Sequence, residues 1–149
     1  MENYQQARSY LESAVRLNPQ DAHAAERLET ARLVLVMDPF QPRLGSEERA
    51  RRGVRDFAQA LARLEECSRT RGEALEAAEP VTELQKAYAR ASQFRPKVRE
   101  SVLRRNSDLL MSTLGLAFEI EELTASVCGP PTGADLALLL IARKQGGAQ

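Results

Sequence analysis

The sequence predicts an all-α protein of about six or seven helices. Ala, Leu, Glu and Arg dominate its 149 residues, while the β-branched and aromatic residues that strands favour are sparse. Apolar residues recur at intervals of three and four over long stretches, which places them on one face of a helix. The 8 glycines and 7 prolines mostly separate these stretches. We therefore expect an N-terminal helix pair packed on a C-terminal helical bundle.

Two amphipathic helices are predicted at the N-terminus. Asn3 can cap the first helix, which runs to about Leu17, and Pro19 cannot continue it. Asp21 is a suitable N-cap for the second helix, which runs to about Met37. The packing face of the second helix consists of Ala24, Leu28, Ala31 and Leu35.

Small and large residues alternate along one face of the first helix. Ala7 and Ala14 leave room for the backbone of another helix, and Leu11 fills the space between them. With Pro19 after the helix, this spacing resembles the second helix of a tetratricopeptide repeat and the turn that follows it. The resemblance covers about 16 residues, and the alternative interpretation is an ordinary amphipathic helix in a bundle. The resemblance implies a protein that holds other proteins.

The second helix departs from the repeat pattern. Leu28 fits, but Glu29 stands where the family has a small residue and Arg32 where it has an aromatic one. A terminal repeat is atypical because its outer face meets water. The first helix of the repeat that contains Ala7 would precede Met1. We therefore expect the end of an array and the C-terminal part of a longer protein.

A second stripe on the second helix is the predicted partner-binding surface, if the analogy with an array holds. This stripe consists of His23, Glu26, Thr30 and Leu33. His23 is the only histidine, and no cysteine or carboxylate cluster lies near it in the sequence. We interpret it as a surface residue and not as a metal ligand.

The chain is predicted to divide into a helix pair at 1–37, a linker at 38–45 and a helical bundle at 46–149. Pro39 and Pro42 interrupt helical structure in the linker. Ser46 is the expected N-cap of the third helix, which runs to about Thr70, and Gly72 can cap its C-terminus.

Two shorter helices are expected next, with one or two helical turns before them at 73–79. Pro80 suits the first position of the fourth helix, and Arg95-Pro96 ends it. A fifth, short helix then runs to about Arg105. A basic patch surrounds it, opposed only by Glu100, and is either a solvated surface or a binding site for an acidic partner. The patch consists of Arg95, Lys97, Arg99, Arg104 and Arg105.

The sixth helix is predicted to be the most buried. Asn106 or Ser107 is its expected N-cap, and it runs to about Val127. It carries two adjacent apolar seams, which need cover on more than one side. Gly115 in its middle suggests a close helix crossing. The seventh helix follows residues 128–133 and is apolar nearly all round. It is predicted to be buried against the sixth helix or to be an exposed partner-binding surface.

Cys67 and Cys128 are the only cysteines. Both are predicted at C-terminal helix ends, where the partial negative charge disfavours a reactive thiolate. They are candidates for a disulfide, whose geometry cannot be judged from sequence. The expected location is the cytoplasm by default, or outside it if the disulfide forms.

The chain carries 21 basic and 21 acidic side chains, which argues against a polyanion as its main partner. No Gly-rich phosphate loop, Ser-His-Asp set or HExxH motif is present, and the longest apolar run is too short to span a bilayer. We expect a non-enzymatic interaction or scaffold module with a protein or peptide partner and no cofactor or metal. The alternative is a helical domain that binds nucleic acid or an acidic partner through its Arg clusters.

Overall fold

The computed structural model describes residues 3–147. This part of the chain contains seven α-helices, one 3-10 turn at Arg95–Lys97 and no strand, which confirms the all-α prediction. The helices are α1 (Tyr4–Leu17), α2 (Ala22–Met37), α3 (Ser46–Arg71), α4 (Glu83–Phe94), α5 (Glu100–Arg105), α6 (Ser107–Cys128) and α7 (Gly133–Gly147).

The helices form two compact units. The first unit contains α1, α2 and α7, and the second contains α3 to α6 together with the segment that begins at Pro39. The predicted division into 1–37, 38–45 and 46–149 does not coincide with these units, because α7 packs against α2. A helix that is apolar nearly all round can be covered from any side, so its sequence does not identify its neighbour.

Side-chain caps begin both helices of the predicted N-terminal pair. Asn3 Oδ1 accepts a hydrogen bond from the backbone N–H of Gln6 at 3.1 Å. Asp21 Oδ1 accepts from the backbone N–H groups of His23 and Ala24, each at 3.1 Å. Both predicted caps are confirmed, because a short polar side chain at this position satisfies amide groups that the helix itself leaves without a partner.

The core between α1 and α2 is small. Leu11, Leu28 and Ala31 are buried there, and the partly buried Tyr4 and Val15 pack against them. The predicted packing face of α2 is correct for Ala24, Leu28 and Ala31, whereas Val34 is buried in place of the predicted Leu35, which is half-buried.

The core of the second unit lies between α3, α4 and α6. Phe57, Leu61 and Leu64 of α3 pack there with Leu116 and Ile120 of α6. Helix α6 also contacts α4 and α5. Helix α3 likewise contacts α4, α5 and α6, so α3 and α6 together form the centre of this unit.

One arginine of α3 holds the segment before that helix through two hydrogen bonds. Arg49 Nε donates to the carbonyl oxygen of Pro39 and Arg49 Nη2 to that of Leu44, both at 3.2 Å. The ring of Phe40 lies 6.5 Å from that of Phe118, centroid to centroid. Part of the predicted linker is therefore an integral piece of the second unit.

Two predicted helix starts are wrong. Helix α3 has Gly45 as its N-cap and Ser46 as its first residue, and no side chain caps it. Helix α4 begins after Thr82 and not at Pro80, because Thr82 and Gln85 form a reciprocal capping box. The amide of Gln85 also donates to the carbonyl oxygen of Ala74 at 3.0 Å, which holds the non-helical segment 73–82. The helical turns expected at 73–79 are absent.

The close helix approach predicted at Gly115 occurs at Gly53 instead. A Cβ atom placed on Gly53 would lie 2.6 Å from Cδ1 of Leu110, whereas one on Gly115 would have no neighbour within 4 Å. Helices α3 and α6 therefore approach closely at a glycine of α3. The expectation failed because a glycine inside a helix does not itself reveal which side faces another helix.

Candidate partner-binding groove

A groove of about 570 Å³ is formed by the three helices of the first unit and the N-cap residue of α1. Its lining residues are Asn3, Tyr4, Ala7, Leu11, His23, Glu26, Arg27, Thr30, Ala31, Leu136 and Leu140. Volumes of this size are typical of sites that hold a small molecule or a few side chains of a peptide.

Helical spacing places the lining residues of each helix on one face. On α1, Ala7 and Leu11 are four residues apart, and on α7 the same holds for Leu136 and Leu140. Residues at this spacing are neighbours on a helix surface. The groove therefore follows directly from three amphipathic or apolar helices that face one another.

The groove has an apolar floor and a polar rim. Leu11 and Ala31 are 5% and 3% exposed and form part of the floor. His23, Glu26 and Arg27 are exposed on the rim. The floor can bury apolar side chains of a partner, while the rim offers a carboxylate, a guanidinium and an imidazole for polar contacts.

One hydroxyl of the groove is already engaged. Thr30 Oγ1 donates to the carbonyl oxygen of Glu26 at 3.2 Å, one helical turn earlier. The hydroxyl proton is therefore used in a local hydrogen bond, and the oxygen remains able to accept one from a ligand.

Three of the four predicted stripe residues line the groove. These are His23, Glu26 and Thr30, whereas Leu33 lies half-buried elsewhere on α2. Leu33 follows His23 by ten positions, which rotates it by about 80° around the helix axis. The predicted stripe therefore includes one residue, Leu33, that lies outside the groove. The binding role of its members stays a prediction.

The α7 residues of the groove were missed. No sequence feature placed Leu136 and Leu140 in the groove, because the sequence did not indicate that α7 packs against α2. Ala7 could have been found, since it belongs to the tetratricopeptide-like pattern and lies three residues after Tyr4, another lining residue.

The predicted basic patch lies in the second unit, and all five of its members are exposed. Arg95 forms an ion pair with Glu65 at 3.6 Å. Glu100, the acidic residue within the patch, is paired with Arg51 at 3.5 Å. The structure thus brings the start of α3, which carries Arg49, Arg51, Arg52 and Arg55, next to α5.

The structure joins Cys67 and Cys128 in a disulfide that links the ends of α3 and α6, with 5.9 Å between the Cα atoms. Within residues 3–147, no group of three His, Cys, Asp or Glu side chains is placed to hold a metal ion. In the same part of the chain, no single helix is long and apolar enough to cross a membrane, and α6 and α7 reach that length and composition only when counted together across their break.

No protein-family model, curated protein or solved structure matches the chain. The tetratricopeptide resemblance therefore stays a prediction that rests on residues 7–22.

Proposed function

We propose that this chain is a non-enzymatic interaction module that holds a segment of a partner protein in the groove of the first unit. The observation that carries the proposal is the groove itself, which combines a buried apolar floor with an exposed polar rim. Such a combination is typical of sites that recognise amphipathic peptide segments.

The chemistry of the rim supports binding over catalysis. His23 and Glu26 are exposed, and the hydroxyl of Thr30 donates to a backbone carbonyl and not to the imidazole. A nucleophile is activated when its proton is hydrogen-bonded to a base. The rim residues are therefore proposed to orient a partner by hydrogen bonds and charge.

The resemblance of α1 to a repeat helix gives the proposal further support. Ala7 belongs to the tetratricopeptide-like pattern and also lines the groove. A small residue at this point keeps the groove open, whereas a large side chain would fill it. Substitution of Ala7 is therefore the most direct way to block the site.

The test uses peptides selected from a random display library on the full chain. We expect the selected peptides to lose about tenfold or more in affinity for Ala7→Phe and for the double variant His23→Ala/Glu26→Ala, because contacts near the centre of a site dominate binding. The matched control is Gln20→Ala/Glu29→Ala, which removes two exposed polar side chains of the first unit outside the groove. Unchanged binding to both groove variants would refute the proposal.

The disulfide supports placing the chain in an oxidising compartment. Disulfides persist in such compartments and are rare in the cytosol. Thiol titration of the denatured, unreduced natural protein should detect no free thiol. Two free thiols would contradict both the crosslink and this location.

A further inference from the structure

The segment 95–105 of the second unit, which we call the basic segment, concentrates cations that have no acidic partner. Four of its side chains are exposed and form no ion pair within residues 3–147: Lys97, Arg99, Arg104 and Arg105. The one carboxylate of the segment, that of Glu100, is engaged by Arg51. The positive charge of the segment is therefore available to a partner.

The cations at the start of α3, unlike those of the basic segment, are paired with carboxylates. Arg51 pairs with both Glu47 and Glu48, and Arg52 Nε lies 3.1 Å from Glu48 Oε1. These cations are neutralised by carboxylates three and four residues away, as is usual on a solvated helix surface. The basic segment lacks this local neutralisation, which distinguishes it from an ordinary charged helix surface.

Two apolar depressions border the basic segment. One, of about 290 Å³, has Val98 beside Phe57 and Leu61 of α3, and the ion pair of Arg95 with Glu65 also lines it. The other, of about 260 Å³, has Leu103 and Arg104 beside Phe40, Leu110 and Met111, among others. Met111 is 51% exposed, and its flexible side chain can adapt to an incoming apolar group.

These two features together identify the kind of ligand. A nucleic-acid backbone needs cations but not apolar depressions, and single-stranded recognition uses exposed aromatic side chains for stacking. Phe57 is buried and Phe40 is half-buried, so neither presents a free stacking face. Guanidinium groups bind carboxylates through paired hydrogen bonds, and the depressions can hold apolar side chains.

We propose that the basic segment and its two depressions bind an acidic segment of another protein, in which glutamate or aspartate residues are interspersed with apolar residues. Carboxylates of the partner contact Arg99, Arg104 and Arg105, and its apolar side chains enter the depressions. This proposal is independent of the groove in the first unit.

The test measures fluorescence anisotropy with the full chain and three labelled probes. The first probe is a short peptide of alternating glutamate and leucine, the second replaces every leucine by serine, and the third is a short DNA duplex. We expect the glutamate–leucine peptide to bind most tightly, because it alone supplies both carboxylates and apolar groups. A failure of all three probes to bind, equal binding of the two peptides, or tighter binding of the duplex would each overturn the proposal.

Substitutions then locate the binding surface. Arg104→Gln/Arg105→Gln should weaken the glutamate–leucine peptide about tenfold, since it removes two charge-assisted contacts. Met111→Gln should weaken the same peptide but not the glutamate–serine peptide. The control, Arg16→Gln/Arg69→Gln, changes the net charge equally at exposed positions outside the basic segment.

Equal losses in the control and in Arg104→Gln/Arg105→Gln would show that net charge alone drives binding, which would overturn the proposal. Thermal melts of every variant check that it is folded. Met111→Gln, at a half-exposed position, keeps the test decisive if the arginine pair proves necessary for folding.

Discussion

The first helices of the two units, α1 and α3, differ in how many of their residues they bury. Helix α1 of the first unit has a single buried residue, Leu11, among its 14 residues. Helix α3 of the second unit has nine among its 26, and its end is also linked to α6 by the disulfide. The first unit has no such link, because the only two cysteines lie in the second.

The low burial of α1 bears on the groove that this helix lines. Regions with few buried apolar contacts open locally at low free-energy cost, and binding sites are commonly drawn from them. The groove is lined on one side by α1, which buries one residue, while the basic segment lies beside α3, which buries nine. We therefore expect the α1 side of the groove to be adaptable and the binding surface beside α3 to be rigid.

The largest effect is expected from removing the disulfide. The bond closes a sequence separation of 61 residues, and a crosslink of this span stabilises by about 4 kcal/mol. Urea unfolding of Cys67→Ser/Cys128→Ser should show this loss, and hydrogen exchange should place it in α3 and α6 while α1 is unchanged. A reductant should reproduce the loss in the natural chain and have no effect on the variant. Equal unfolding midpoints for variant and natural chain would contradict the comparison between the units.

The next largest effect is expected from the core of the second unit. Leu116 is 2% exposed, and Leu116→Ala should lower the free energy of unfolding by about 3 kcal/mol through lost burial and the cavity left behind. The control is Leu17→Ala on α1, where the side chain is 88% exposed and the change should have almost no effect. Thermal or urea unfolding measures both, and a melt of Leu116→Ala identical to that of the natural chain would refute the placement.

A smaller effect is expected at the helix starts. Asp21→Ala should cost the first unit about 1 kcal/mol, because two backbone N–H groups lose their acceptor. Ser46→Ala should be nearly neutral in the second unit, since no side chain caps α3. Urea unfolding measures the stability of both variants. A greater loss of stability from Ser46→Ala than from Asp21→Ala would show that Ser46 caps α3, as the sequence predicted.

The smallest effect concerns the pH dependence of the second unit. The hydrogen bond from Arg52, assisted by Arg51, holds the pKa of Glu48 below its ordinary value of 4.5, against the opposing effect of partial burial. A carboxyl whose pKa is lower in the folded state stabilises fully above its unfolded pKa. This contribution is lost as the pH falls through the lower, folded pKa.

The comparison of the natural chain with Glu48→Gln tests this effect. The natural chain should be slightly more stable above the ordinary pKa of 4.5, and the difference should vanish once the pH falls below the lower pKa that Glu48 has in the folded state. The effect is small because solvent screens the pair, in which the Glu48 side chain is 33% exposed. An NMR titration of the Glu48 carboxyl that gives an unshifted pKa would contradict it.

Much of the secondary structure could be predicted because its causes are local. Asn3 and Asp21 cap helices through atoms two or three residues away, and Gly72 ends α3 with a positive φ of 64° that suits glycine. The start of α4 was misplaced because two local signals competed, and the capping box at Thr82 prevailed over the proline at position 80.

The candidate site could be predicted only in part, because some of its residues meet through local helix geometry and others through packing between distant helices. His23, Glu26 and Thr30 share a face of α2 by helical geometry, which the sequence contains. Leu136 and Leu140 reach the same groove through the packing of α7 on α2, which depends on residues more than a hundred positions away. The sequence could therefore indicate one wall of the groove but not its depth.

The sequence by itself determined that the chain is helical, where most helices lie and which faces are apolar. Those properties follow from interactions within about four residues of each position. The tertiary structure alone decided that α7 joins the first unit, that Gly53 and not Gly115 marks the close approach, and that the arginines of α3 lie beside α5. Each of these depends on which surfaces, distant in sequence, pack against one another. An apolar helix face does not specify which other helix will cover it.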